Sequence, residues 1–148
     1  MEQGRDIDLA KEKLLGENYA LVIVKQGEFL FSSREKGIKP IYLALTQLGD
    51  TLKGASLADK VIGKAAAMFC QLAKVDSVYA DLISDKAIEV LKQTGIDLEY
   101  NNTCPYILNQ SQDGMCPVEK LATNIDDGKS LLRKVADFLK VSESKQGG

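Results

Sequence analysis

A continuous apolar run constrains the fold more than any other feature of this chain. Residues 19–25 read Tyr-Ala-Leu-Val-Ile-Val-Lys. Before the final lysine, this run lacks the alternating polar side chains that a strand with one face in water would carry. The turn-forming pair Gln26 and Gly27 follows, and residues 28–33 again resemble a strand. The pattern predicts a β-hairpin whose first strand is buried on both faces, so helices should cover both sides of the sheet.

The rest of the chain alternates between helical and strand-like segments. Asp6 is the expected cap of the first helix. Helices are predicted at residues 6–16, 40–48, 57–73, 85–94, 117 onward and 128–139, and strands at 77–83, 96–100 and, at an edge, 106–108. A strand, a helix and a strand in so short a span imply a right-handed parallel crossover. The expected fold class is α/β, with three α/β/α layers around a mixed sheet of four or five strands.

Domain organisation follows from the absence of any repeat or low-complexity stretch. Residues 1–141 are expected to form a single domain, and residues 142–148 a flexible C-terminal tail. The N-terminal residues lack the features of a secretory signal and no apolar run reaches the length of a membrane span, so the expected location is cytoplasmic.

Composition excludes several kinds of chemistry. The 148 residues include no histidine, so Ser–His–Asp and Cys–His catalysis cannot be assembled within one chain. Cys70, Cys104 and Cys116 lack zinc-ligand spacing, and we expect no metal and no cofactor. The net charge of -2 comes without a basic stripe, so neither nucleic acid nor a membrane surface is an expected partner.

The segment from Leu57 to Ala73, interpreted as one helix, carries the main candidate site. Ser56, Asp59, Lys60 and Lys64 would crowd its first two turns beside free amides, which is typical of an anion site. The alternative is that Ser56 and Asp59 only cap the helix while the lysines are solvated. Both interpretations are open at this point.

A second candidate lies at residues 116–119, Cys-Pro-Val-Glu. Cys116 precedes a proline suited to the first helical position, where the helix dipole favours a thiolate nucleophile. Glu119 and Asp59 are the candidate acid/base groups. Alternatively, Cys116 only occupies the cap position. Asp81 and Ser84, at the end of a predicted strand, are expected to face the cluster; alternatively, Ser84 or Asp85 caps the next helix.

The residues 58–67, Ala-Asp-Lys-Val-Ile-Gly-Lys-Ala-Ala-Ala, resemble an uncharacterised prokaryotic family, the domain of unknown function 1893. The similarity includes Asn109, taken as a candidate ligand-binding residue, and the segment 114–119, Gly-Met-Cys-Pro-Val-Glu. The resemblance implies a cytidine-deaminase-like fold. Zinc deaminases of this fold carry ligands at the starts of their second and third core helices, which we assign here to residues 56–60 and 83–87. Neither segment supplies the ligands, so a zinc-dependent deaminase is not expected.

These observations lead to two functional hypotheses. The first is a metal-independent site for a small molecule, such as a nucleotide or another phosphorylated metabolite, with or without a reactive cysteine. The second is a non-enzymatic module, derived from a deaminase fold, that senses a ligand or assembles as a homo-oligomer. Residue types alone do not decide whether the protein is an enzyme.

Overall fold

A computed structural model describes residues 5–109 and 111–147, with side chains up to residue 140. The helices are α1 (Asp6–Gly16), α2 (Lys39–Leu48), α3 (Lys64–Ala73), α4 (Asp85–Gln93), α5 (Pro117–Ala122) and α6 (Gly128–Gly147). The strands are β1 (Leu21–Lys25), β2 (Glu28–Ser33), β3 (Ser56–Ile62), β4 (Ser77–Ser84) and β5 (Asp97–Cys104). A 3₁₀ turn over Gly49–Leu52 follows α2.

The strands form one mixed sheet in the order β2-β1-β3-β4-β5. β1 is antiparallel to β2 and β3, whereas β3, β4 and β5 are parallel. The parallel connection of the predicted crossover is confirmed, since α4 joins β4 to its parallel neighbour β5. The carboxyl ends of three strands therefore meet at one edge of the sheet.

Two apolar clusters lie on opposite faces of the sheet. The smaller one joins α1 to residues of β1, β3 and β4, among them Val22, Ala58 and Tyr79. The larger one joins the other face to α2, α3 and α4, and α5 and α6 pack against it. The fully buried Phe69 of α3 belongs to this larger core. The predicted three-layer α/β arrangement is thus confirmed, with five strands.

The prediction of one helix from Leu57 to Ala73 is wrong. Residues 56–62 form strand β3, Gly63 is the N-cap position of α3, and the helix begins only at Lys64. β3 lies between β1 and β4, so its first three residues are buried on both faces and show no polar alternation. A short apolar run of this kind cannot be distinguished from a helix by periodicity.

Smaller differences concern the cap of α1 and the predicted edge strand. The hairpin turn is as predicted, with positive φ at Gln26 and Gly27, but Asp6 does not cap α1. Its carboxylate instead accepts hydrogen bonds from the amides of Gln26 and Gly27, at 2.8 and 3.0 Å. The predicted edge strand at 106–108 is reduced to one bridge between Leu108 and Met115.

The last helix is longer than predicted. α6 continues to Gly147, so helical backbone includes most of the expected tail, whose flexibility stays a prediction. Across the described residues, no helix combines the length and the apolar character needed to span a bilayer.

Candidate functional site

The N-terminus of α3 lies at the carboxyl edge of the sheet and is closed by a carboxylate of the same chain. Glu119 of α5 accepts hydrogen bonds from the backbone amides of Lys64, at 2.7 Å, and Ala65, at 3.1 Å. Its residue surface is 8% exposed. The helix amides therefore do bind an anion, as such termini tend to, but the anion is Glu119.

Gly63 is the reason that the carboxylate can approach so closely. A Cβ atom at this position would lie 2.3 Å from Oε1 of Glu119. The φ angle of Gly63 is -99°, which any residue adopts, so space rather than backbone conformation requires glycine here. The sequence signal was present, because Gly63 separates two apolar runs, but its partner lies 56 positions further along the chain.

Lys64 extends the closure to the segment after α5. Its Nζ donates to the backbone oxygen of Thr123 at 3.3 Å and lies 3.7 Å from Oδ1 of Asp126. Its side chain is 16% exposed. The amide and the ammonium group of Lys64 are therefore both engaged by the α5 region.

Asp59 lies on the large-core face of β3. Its neighbours across the ladder are Leu21 and Ala80, both in the large core. Cross-strand neighbours share a face of the sheet, so Asp59 points towards the α3 side. Asp59 also influences Cys70 on α3. Burial is the main reason that the pKa of the Cys70 thiol is raised, and the negative charge of Asp59 raises it further.

One oxygen of Asp59 is open. Oδ1 accepts the amide hydrogen of Val61 at 3.1 Å. Every buried side-chain nitrogen or oxygen in the described part of the chain has a hydrogen-bond partner. Asp59 is only half-buried as a residue. The Lys60 amide lies near the carboxyl group but donates to the Ala20 oxygen at 3.0 Å, and no described side chain is bonded to Oδ2, so that atom is in reach of solvent.

The carboxyl group is nevertheless deep enough to lose much of its hydration. Burial raises the pKa of Asp59 to about 7, while the amides of Val61 and Lys60 act in the opposite direction. An accessible acid that titrates near neutral pH is suited to proton transfer, and such groups concentrate at functional sites.

The other members of the predicted cluster are not brought together with Asp59. Ser56 begins β3, three residues before Asp59, so the two lie about 10 Å apart at roughly 3.3 Å per residue and their side chains point to opposite faces. The side chain of Lys60 contacts Asn18, in the turn after α1. The four residues would lie close together only if they belonged to one helix. In the structure, Ser56, Asp59 and Lys60 lie along strand β3 and Lys64 begins α3.

The remaining candidates occupy separate places. Asp81 accepts from Asn101 at 3.2 Å and lies 3.5 Å from the Tyr79 hydroxyl, on the α1 face. Asn109 and Asp113 hydrogen-bond each other within a loop, at 2.8 Å through the Asn109 amide. Ser84 caps α4 by accepting from Ala87, which confirms the capping interpretation.

Cys116 occupies the N-cap position of α5, but its side chain makes no capping hydrogen bond. The thiol is half-buried against the large core. Cys104 at the end of β5 is also half-buried, and its sulfur lies 3.7 Å from the Ile83 oxygen. Burial, together with the charges of Asp85 and Glu119, raises the pKa of Cys104.

The residues of this chain do not fit the zinc site of the deaminases whose fold the sequence resemblance implies. The assigned ligand segments, 56–60 and 83–87, fall in β3 and across the junction of β4 and α4, so this assignment of positions is wrong. The second and third helices begin at Lys39 and Lys64, and neither start carries histidine or cysteine. Within residues 5–109 and 111–147 no three metal-ligating side chains lie together.

We expect Gly63→Ala to destabilise the protein by about 1–3 kcal/mol, because the new methyl group overpacks against the Glu119 carboxylate. The penalty should shrink by at least half in a Glu119→Ala background, where the clash is gone. Urea unfolding of the four proteins measures this coupling. Gly16→Ala is the matched control, since nothing lies within 4 Å of its added Cβ; additive effects of Gly63→Ala and Glu119→Ala would contradict the contact.

We expect Asp59→Asn to stabilise the protein at pH 8. Burial raises the pKa of folded Asp59 to about 7, so between about pH 4 and pH 7 the folded chain holds a proton that the unfolded chain has lost, and at pH 8 the folded chain carries a poorly hydrated carboxylate. Wild-type stability should therefore fall as the pH rises from about 4 to about 7.

At pH 8 the free energy of unfolding of the variant should exceed that of the wild type by about 1–3 kcal/mol. This range allows about 1.4 kcal/mol per pKa unit and a discount for solvent access. The difference should vanish near pH 4. Urea unfolding across this pH range measures it, with Asp50→Asn on the surface as the control. A variant less stable than the wild type at pH 8 would contradict the buried acid.

Comparisons with known proteins agree with this architecture. The family profile "Domain of unknown function (DUF1893)" matches residues 9–139. The crystal structure of a DUF1893 family protein from Thermotoga maritima is similar to this chain, with a TM-score of 0.82 and 29% identity, covering 93% of this chain and 92% of that one. No curated protein matches significantly.

Two further structures match in part. RibD of Acinetobacter baumannii gives a TM-score of 0.48 at 23% identity, covering 57% of this chain and 28% of that chain. The dCMP deaminase of cyanophage S-TIM5 gives a TM-score of 0.43 at 15% identity, covering 57% of this chain and 78% of that chain. Nothing about the chemistry of this chain follows from these partial matches. The profile match spans most of the chain, and the protein therefore belongs to the DUF1893 family.

Proposed function

We propose that the protein binds a small molecule, without a metal ion, at the carboxyl group of Asp59. The supporting observation is that Oδ2 is open while Oδ1 is held by the Val61 amide. A carboxyl group with a pKa of about 7 can donate or accept a proton at neutral pH. Asp59 therefore serves both as the binding group and as the acid/base candidate.

The expected ligand carries an amino-substituted heterocycle, as nucleosides and nucleotides do. A carboxylate accepts hydrogen bonds from exocyclic amino groups of bases, and the exchangeable proton of Asp59 allows pairing with a neighbouring ring nitrogen. A phosphate group has less support, because Glu119 fills the α3 amides and the ammonium groups of Lys60 and Lys64 contact the chain itself. The base, rather than the phosphate, is the part of a nucleotide that this site should recognise.

Thermal unfolding with nucleosides tests the proposal. Cytidine and adenosine should raise the melting temperature, by an amount equivalent to about 2.7 kcal/mol at about 100 times Kd. Uridine and inosine, which lack the amino group, should have a smaller effect, and ribose 5-phosphate should have none. Asp59→Asn should abolish the shift although the variant is itself more stable, while Lys64→Ala should keep it.

Two results would overturn the ligand assignment: no shift with any nucleoside, or a shift that persists in Asp59→Asn. Product analysis then separates the two functional hypotheses. A nucleoside converted by the wild type and not by Asp59→Asn identifies an enzyme, whereas a bound and unchanged nucleoside identifies a sensing module.

Cys116 stays the candidate nucleophile of this proposal. Its support is that the thiol is half-buried, makes no capping bond and lies one helical turn from Glu119. We expect iodoacetamide to modify Cys116 first, Cys104 more slowly because of its raised pKa, and Cys70 only on unfolding. Peptide mass spectrometry over a time course measures the order. A native Cys116 no more reactive than Cys70 would remove it as a nucleophile.

A further inference from the structure

Strand β5 presents an exposed edge. Its inner side is paired in parallel with β4, from Asp97 opposite Ser77 to Cys104 opposite Ser84. Within the described residues no strand pairs with its outer side. All of its residues except Leu98 and Cys104 are exposed. A row of backbone donors and acceptors therefore faces solvent over eight residues.

The two edges of the sheet differ in how they are protected. β2, at the opposite edge, has six residues, its pairing with β1 shifts register at Ile23 and Val24, and Arg34 follows it directly. Short length, irregular pairing and basic residues all discourage pairing with another chain. β5 is longer and contains no proline, glycine, lysine or arginine. The irregular pairing and the adjacent basic residue of the β2 edge are thus absent from the β5 edge.

We propose that β5 is the interface of a homodimer, in which two copies pair their β5 edges antiparallel and form one continuous ten-stranded sheet. A strand that pairs with its own copy about a two-fold axis closes the assembly. Pairing of β5 with the β2 edge of another copy would be open-ended, and the features of β2 oppose it.

The charges of β5 favour this self-pairing. Its acidic residues, Asp97 and Glu99, both lie in the first half, and residues 101–104 are uncharged. Antiparallel pairing places each acidic half opposite a neutral half, whereas parallel pairing would place like charges opposite each other. With Asp97 opposite Thr103 of the second copy, Tyr100 lies opposite its own counterpart at the two-fold axis. This tyrosine is 42% exposed in the single chain, and aromatic residues are enriched at interfaces.

Analytical ultracentrifugation tests the interface. The wild type should sediment as a particle of twice the 16.1 kDa chain mass. Tyr100→Lys places two ammonium groups beside the axis and should give a monomer. Phe29→Lys, an equivalent change on the β2 edge at a residue 47% exposed, should stay dimeric. Circular dichroism and thermal unfolding establish that both variants are folded.

Hydrogen exchange supplies a second measurement that requires no variant. Peptides covering residues 97–104 should gain protection as the wild-type protein is concentrated, while peptides of β2 should not. A monomeric wild type, a dimer unaffected by Tyr100→Lys, or exchange in β5 independent of concentration would each overturn the proposal. None of these results bears on nucleoside binding at Asp59, so the two proposals fail separately.

Discussion

The carboxyl edge of the sheet depends on the contact between Glu119 and the first amides of α3. A helix begins with four amides that lack a partner within it, and here two of them bond one carboxylate from a segment 54 and 55 residues away. α5, with six residues, is too short to be stable alone. Each element therefore supplies what the other lacks: α3 holds the short helix in place, and Glu119 satisfies the buried helix end.

Two carboxyl groups at β3 and α5 have opposite roles because their surroundings differ. Glu119 receives two amide hydrogens and lies where the helix dipole favours negative charge. Asp59 receives one amide hydrogen at Oδ1 and loses hydration on the core face, which raises its pKa to about 7. Glu119 therefore stabilises the structure, whereas Asp59 is the group that we propose for ligand binding and proton transfer.

The sequence allowed prediction of those elements whose signals are local. Gln26 and Gly27 determine the hairpin, and the β4-α4-β5 crossover follows from alternating patterns separated by Gly95. The boundary at Gly63 was missed because the apolar residues Val61 and Ile62 at the end of β3 lead, with one glycine between, into the apolar start of α3. The role of Glu119 could not be predicted, since it depends on a contact across more than fifty residues. The Ser56 and Asp59 spacing imitates a helix cap although both residues lie in a strand.

That one change from helix to strand decides which chemistry the site can perform. On a helix, Asp59 and Lys60 would be adjacent members of one polar group facing an anion. On a strand, neighbouring side chains point to opposite faces, so Asp59 turns to the large core while Lys60 turns to Asn18 beside α1. The acid is thereby separated from its basic neighbour and keeps a pKa that an adjacent ammonium group would lower. This separation supports our proposal that Asp59 exchanges a proton with a heterocycle rather than binding a phosphate.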